Sequence, residues 1–197
     1  SPSHRSVSPS VPRPVDKVVL GEFSLDSDEE DVQVLRVAEK FTPRGACVIP
    51  IHNDIALLKL ATPARLSDTV SPLRLAGHCD HFPPGTPCVI TGWGRTQGNH
   101  TENSPTLRQA VLPLVSKADC KTYWGDDVTG EMICAGGSGT APCINDSGGP
   151  LVCQKGGVWT QVGIVSWGSR ECETDKPAVF TRVPAFECWI KETMGAN

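Results

Sequence analysis

What this 197-residue sequence lacks excludes several classes of function at once. No apolar run approaches the roughly 18 residues of a membrane span, so a transmembrane helix is not expected. Basic residues are in no surplus. There are 18 Lys+Arg against 22 Asp+Glu, a net charge of −4 with no basic stripe, which argues against a nucleic-acid partner. No Cys-x-x-Cys pair or Cys/His cluster offers zinc its ligands. The chain opens on Ser1, with neither an initiator methionine nor a signal-type leader, and the expectation is a chain missing its front.

What is present points elsewhere. Nine cysteines indicate an oxidising, secreted setting. With 19 Gly and 17 Pro the chain is built for turns rather than long helices, and 39% apolar residues suffice for a core. The length allows one domain or two small ones. Residues 1–15 place Pro2, Pro9, Pro12 and Pro14 among serines, a composition read as a disordered tail.

From Asp16 onward short β-type runs alternate with turns: "KVVLGEF" (17–23), "VQVLRVAEKF" (32–41), "DIALLKL" (54–60), "CVITGWG" (88–94), "QAVLPLV" (109–115), "EMICAGG" (131–137) and "AVFTRV" (178–183). Gly156-Gly157 separates two more such runs, a hairpin signal. Only the end changes period: Val183, Phe186, Trp189, Ile190 and Met194 share one helical face. An all-β barrel or sandwich with one closing helix is the expected class.

One stretch carries chemistry. In "APCINDSGGPLVC" (141–153), Ser147 sits between Asp146 and two glycines, the way a nucleophile on a tight turn is written. Such a hydroxyl reacts only when a neighbouring base takes its proton.

From about Asp16 to Asn197 the chain resembles the chymotrypsin–trypsin family of serine proteases, pancreatic chymotrypsinogens above all. The matching motifs are "HNDIALLKL", "TGWG", "MICAGG", "NDSGGPLVC", "GIVSWG" and "CWIKET", in the family's order. The resemblance implies two antiparallel Greek-key β-barrels with a C-terminal helix and a cleft between the barrels. It divides the chain into a tail at 1–15, a partial N-terminal barrel at 16–72 and a C-terminal barrel at 73–197. It also implies a triad with Ser147 as nucleophile and Asp54 as the carboxylate that orients a histidine. Asn145 and Ser147 would supply the oxyanion-hole N–H groups. Asp146 would be the aspartate that pairs with an activated amino terminus. Ala141 would form the base of the substrate pocket, with Ser166, Trp167 and Gly168 on one wall and Ala178 on the other. No aspartate sits at that base, so large or medium apolar side chains are the expected substrates and unpaired Arg or Lys would be rejected.

Departures from the family matter as much. The family histidine lies in an "AAHC"-type motif, and the matching position falls near Ser8, Pro9 and Ser10, where no histidine or cysteine stands. His4, His52, His78, His81 and His100 all read as solvated surface residues, and His52 is too near Asp54 in sequence to bridge it to Ser147. No "IVGG"-type start is present, which leaves Asp146 without its ammonium partner. Asn145 replaces the family's glycine, and its side chain is expected beside the reacting carbonyl. "NDS" there is formally a glycosylation sequon but a poor acceptor if buried, while "NHT" at Asn99 lies in loop text.

By the same resemblance Cys88 pairs with Cys153, Cys120 with Cys134 and Cys143 with Cys172. Cys47, Cys79 and Cys188 have no family counterpart, and Arg74 replaces a cysteine that tethers the propeptide. The acidic run Glu22, Asp26, Asp28, Glu29, Glu30 and Asp31 matches the calcium-loop position, making Glu22 and Glu29 candidate calcium ligands. A solvated loop is the plainer reading, and no cofactor is expected. The sequence thus leads to a secreted, monomeric digestive endopeptidase of this family, acting on protein or peptide substrates and meeting protease inhibitors. The chain as written is expected to be inactive. The rival is a non-catalytic homologue acting as a secreted binding protein.

Overall fold

The computed structural model describes residues 16–48, 51–98 and 101–196. The tail read at 1–15, with His4, and the Asn99 and His100 positions lie outside them.

Three strands form the first sheet: β1 (Lys17–Leu20), β2 (Gln33–Phe41) and β5 (Leu57–Leu60), antiparallel in the order β1-β2-β5. Gly21, at φ +86°, turns the chain out of β1 earlier than the apolar run suggests. Two short strands, β3 (Cys47–Val48) and β4 (Ile51–His52), pair separately. Along β2 the exposure alternates as a strand's period of two demands, but its better-covered face is only half-buried. Val34 (54%), Val19 (47%) and Leu58 (48%) are left in solvent. Ile55 is the one fully buried apolar residue described before Ala76. The first sheet therefore has no core of its own.

The second half is better provided. Strands β6 (Arg74–Leu75), β7 (Pro87–Gly92), β8 (Arg108–Val115), β9 (Met132–Gly136), β10 (Pro150–Lys155), β11 (Val158–Trp167) and β12 (Pro177–Arg182) make one sheet. Its order is β10-β7-β8-β9-β12-β11-β6, and a further β10–β11 pairing closes six strands into a barrel. Gly156 and Gly157, at φ +57° and +82°, make the expected β10–β11 hairpin turn. Leu112, Leu151, Val162 and Phe180 fill the interior. Closure removes free edges, which the first sheet keeps.

Three disulfides brace this half: Cys88–Cys153 across neighbouring positions of β7 and β10, Cys120–Cys134, and Cys143–Cys172. These are the three pairs the family resemblance implied.

Two features differ from the sequence reading. A second helix, α1 (Lys117–Trp124), was not expected, because only Cys120 on it is buried and no apolar stripe marks it. Its signal is chemical: Ser116 accepts from the N–H of Asp119 and donates to its carboxylate, a capping arrangement, and Gly125 at φ +63° ends it. The closing helix α2 (Glu187–Ala196) follows a 3-10 turn at Val183–Phe186. Val183, Phe186 and Ile190 are buried as the spacing implies, but Met194 is 69% exposed. The cluster that the helix covers ends at Ile190, and the last turn runs past it into solvent.

Helix α2 is pinned at its start. Glu187 accepts from the Lys191 ammonium at 2.6 Å and from the N–H of His78 at 2.7 Å. Lys191 above all, and then the His78 N–H, hold its carboxyl below the usual glutamate range. A depressed folded-state value stabilises the fold above the unfolded value, and this contribution is lost as pH falls through the folded one. Helix α2 is therefore expected to loosen on acidification below the ordinary glutamate range. Amide exchange of residues 187–196 against pH reads this directly. Glu187→Gln is expected to flatten the dependence, and an unchanged profile contradicts the assignment.

Candidate active site

Asp54 is placed by what surrounds it. Asn53, at φ +49°, turns the chain just before it, and β5 does not begin until Leu57. Ile55 is then buried against Val183, Phe186 and Ile190. Thr181 donates its hydroxyl to the Asp54 carbonyl at 2.6 Å, and Ser166 donates to Asp54 Oδ2 at 2.5 Å. Ser166, expected as pocket wall, thus also fixes the carboxylate.

Ser147 sits on a hydrogen-bonded turn. The N–H of Asp146 reaches the Cys143 carbonyl, that of Gly148 the Val165 carbonyl and that of Gly149 the Asp146 carbonyl. Positive φ values at Asn145 (+74°) and Gly148 (+85°) make this turn possible. Among the described residues the N–H groups of Asn145 and Ser147 have no partner, while those of 146, 148 and 149 do. The Asn145 side chain is exposed, and its amide donates to Asn103 Oδ1 at 2.8 Å.

Asp146 lies beneath. Its Oδ1 accepts from the N–H of Gly94 and its Oδ2 from the N–H of Cys143, each at 2.9 Å. A Cβ added to Gly92 or Gly94 would collide with Oδ1. The "TGWG" glycines therefore exist to let this carboxylate approach the backbone.

A cavity of about 150 Å³ opens beside Ser147, and Ala141, Ser166, Trp167, Gly168 and Ala178 all line it. A Cβ on Gly168 would lie 3.6 Å from that of Ala178, so these two positions set the width between the walls. Trp167 is held by Trp124 of α1, ring centroids 5.4 Å apart and nearly perpendicular, and Trp124 donates to the Pro177 carbonyl at 2.8 Å. Sequence reasoning missed this brace along with the helix that carries it. It also missed Glu173 and Lys176, which line the same cavity.

A larger cleft of about 720 Å³ runs between Asp54 and Ser147. His52, half-buried, lines it. Among the described residues, no histidine nitrogen is hydrogen-bonded to either Asp54 or Ser147. His78 lies near Glu187, its Nε2 4.0 Å from the carboxylate, and His81 is exposed elsewhere.

Glu30 is occupied by the N–H groups of Phe23 and Ser24, and Asp31 pairs with Arg65 at 3.2 Å. Glu22 turns one oxygen inward without a hydrogen-bond partner, and Glu29 does not join it: no group of three His, Cys, Asp or Glu among the described residues is placed to hold a metal.

Comparison with known proteins agrees with this geometry. Residues 7–190 match the Trypsin family model. "Serine protease 1" of Rattus norvegicus is 37% identical over 183 residues, covering 92% of this chain and 72% of that protein. "Kallikrein-15" of Saguinus oedipus is 40% identical over 195 residues, covering 92% of this chain and 74% of its own length. A closed six-stranded barrel with a short C-terminal helix, three disulfides and matches of this extent place the chain in the trypsin family of serine proteases.

Proposed function

We propose that this chain has the site of a secreted serine endopeptidase cleaving after large or medium apolar residues, and that the 197-residue polypeptide lacks the base that would make it turn over. The observation that carries the reading is the adjacency of Ser147, two uncommitted N–H groups and an apolar-walled cavity with Ala141 at its expected base. In this reading the substrate side chain enters the cavity and the scissile carbonyl lies against Ser147. Its oxygen turns toward the N–H groups of Asn145 and Ser147, the donors an oxyanion needs. Asp54 stands across the cleft to stabilise an imidazolium. Three disulfides fit an extracellular setting, and protein or peptide substrates fit an open cleft.

Free imidazole tests the reading by standing in for the missing base. Hydrolysis of an acyl-phenylalanine aryl ester is expected to rise with imidazole more steeply than in the Ser147→Ala variant. A lysine ester is expected to gain less. Equal response of both proteins defeats the catalytic reading. The second reading, a binding protein without catalysis, is favoured by the absence of a histidine partner for Asp54 among the described residues. It predicts peptide binding that Ser147→Ala leaves unchanged, with no imidazole response.

A further inference from the structure

The cavity beside Ser147 is walled mostly by small and apolar residues, yet two of its lining side chains are charged. Glu173 and Lys176 are the only ionic groups among them. The Glu173 carboxylate accepts from the Lys176 ammonium at 2.8 Å and from Ser169 Oγ at 2.7 Å. Each charged side chain is 38% exposed, so the pair is partly withdrawn from water and its field is less screened than at an open surface. The two charges hold one another in the ionised state: Lys176 lowers the Glu173 carboxyl and Glu173 raises the Lys176 ammonium, with Asp175 and Glu171 adding to the latter.

We propose that this pair sets the charge preference of the cavity, Lys176 cancelling a carboxylate that would otherwise select a cationic side chain. The inference rests on the reading that this cavity receives the substrate side chain, and it adds two specificity-determining residues to it. Ala141 at the base explains only why no buried carboxylate draws in a cation from below. Glu173 supplies a carboxylate on the wall, and the cavity stays neutral because Lys176 occupies it. Ser169 matters as well. Its hydroxyl bond keeps the carboxylate on the wall when Lys176 is removed, so deleting the cation exposes a charge that is already in place. Deleting the anion instead leaves the ammonium at the same wall without a hydrogen-bonded counter-charge, only Asp175 and Glu171 acting on it through space, and the preference reverses. The neutral pair thus favours neutral guests by excluding both signs of charge, an exclusion by mismatch as well as a fit.

Binding of three small aromatic probes tests this without requiring turnover. Indole is neutral, benzamidine cationic and benzoate anionic, and each is titrated by NMR into the full chain, Lys176→Ala and Glu173→Gln. Lys176→Ala is expected to bind benzamidine about tenfold more tightly than the parent, about 1.4 kcal/mol. Glu173→Gln is expected to gain about tenfold for benzoate, and indole is expected to change less than twofold throughout. Both side chains are over a third exposed, so both variants keep the fold. Changes below threefold for the charged probes in either variant overturn the proposal. Failure of indole to bind the parent defeats the apolar-cavity reading by itself, while the exchange of charge preference between variants remains readable. Silence of every probe in all three proteins defeats both.

Discussion

Without added imidazole, the 197-residue polypeptide is expected to hydrolyse an acyl-phenylalanine aryl ester no faster than its Ser147→Ala variant. Ser147 has a formed turn and an adjacent cavity, so in the proposed reading it is proton transfer that limits the rate. A serine hydroxyl at neutral pH is a weak nucleophile, and its proton must leave as the bond to carbon forms. Asp54 accepts from Ser166 and has no hydrogen bond to Ser147 among the described residues. Removing the base from such a triad costs on the order of 10⁶ in kcat, roughly 8 kcal/mol of barrier. The residual catalysis falls below trace contaminants, which is why the Ser147→Ala comparison is the measurement. A steady rate abolished by that substitution would show that a group on this chain takes the proton, and His52 at the cleft wall would be the first residue to replace.

Gly94→Ala is expected to be strongly destabilising, at about 3–5 kcal/mol. Overpacking a fitted site costs about 1–3 kcal/mol, and losing a charge-assisted hydrogen bond adds about 1.5–3 kcal/mol. Both apply, because the added Cβ would fall on the Asp146 oxygen that accepts from the same residue's N–H. Asp146 cannot retreat easily: its other oxygen is bonded to the Cys143 N–H, and Cys143 is fixed by its disulfide to Cys172. The strain therefore passes to Asn145 and Ser147. Urea denaturation under non-reducing conditions gives the stability loss, and a change below 1 kcal/mol would contradict this account of the glycine. Gly195→Ala, with open space around the added Cβ in the exposed last turn of α2, is the neutral control.

The strands of the barrel were legible because each records its surroundings locally. "QAVLPLV" and "AVFTRV" are short apolar β-type runs bounded by turns, as a closed sheet demands. The nucleophile turn was equally legible, since two glycines following an Asp-Ser pair mark a backbone bend. Helix α1 was not, because eight residues with one buried side chain carry no apolar period, and Ser116 with Asp119 was its only trace. Met194 was misread for the opposite reason: the period continues after the surface it covers has ended.

At the site the division is sharper. Ser147, Asp54 and the five cavity positions were named from motifs. The Asn145–Asn103 bond, the Trp124 brace, the place of His52 in the cleft and the Glu173–Lys176 pair were not. The first, second and third of these join segments far apart in the chain. The fourth is local in sequence, but nothing in "RECETDK" says that two of its charges face a cavity.

By itself the sequence determined where the chain bends, which residues are the candidates for its chemistry and which cysteines accompany them, because backbone conformation and residue type are written position by position. Only the tertiary structure decided which groups share a cavity, which carboxylates are already satisfied and how thinly the first sheet is covered. Those are distances between residues remote in the chain, set by how the barrel closes and by what α2 buries.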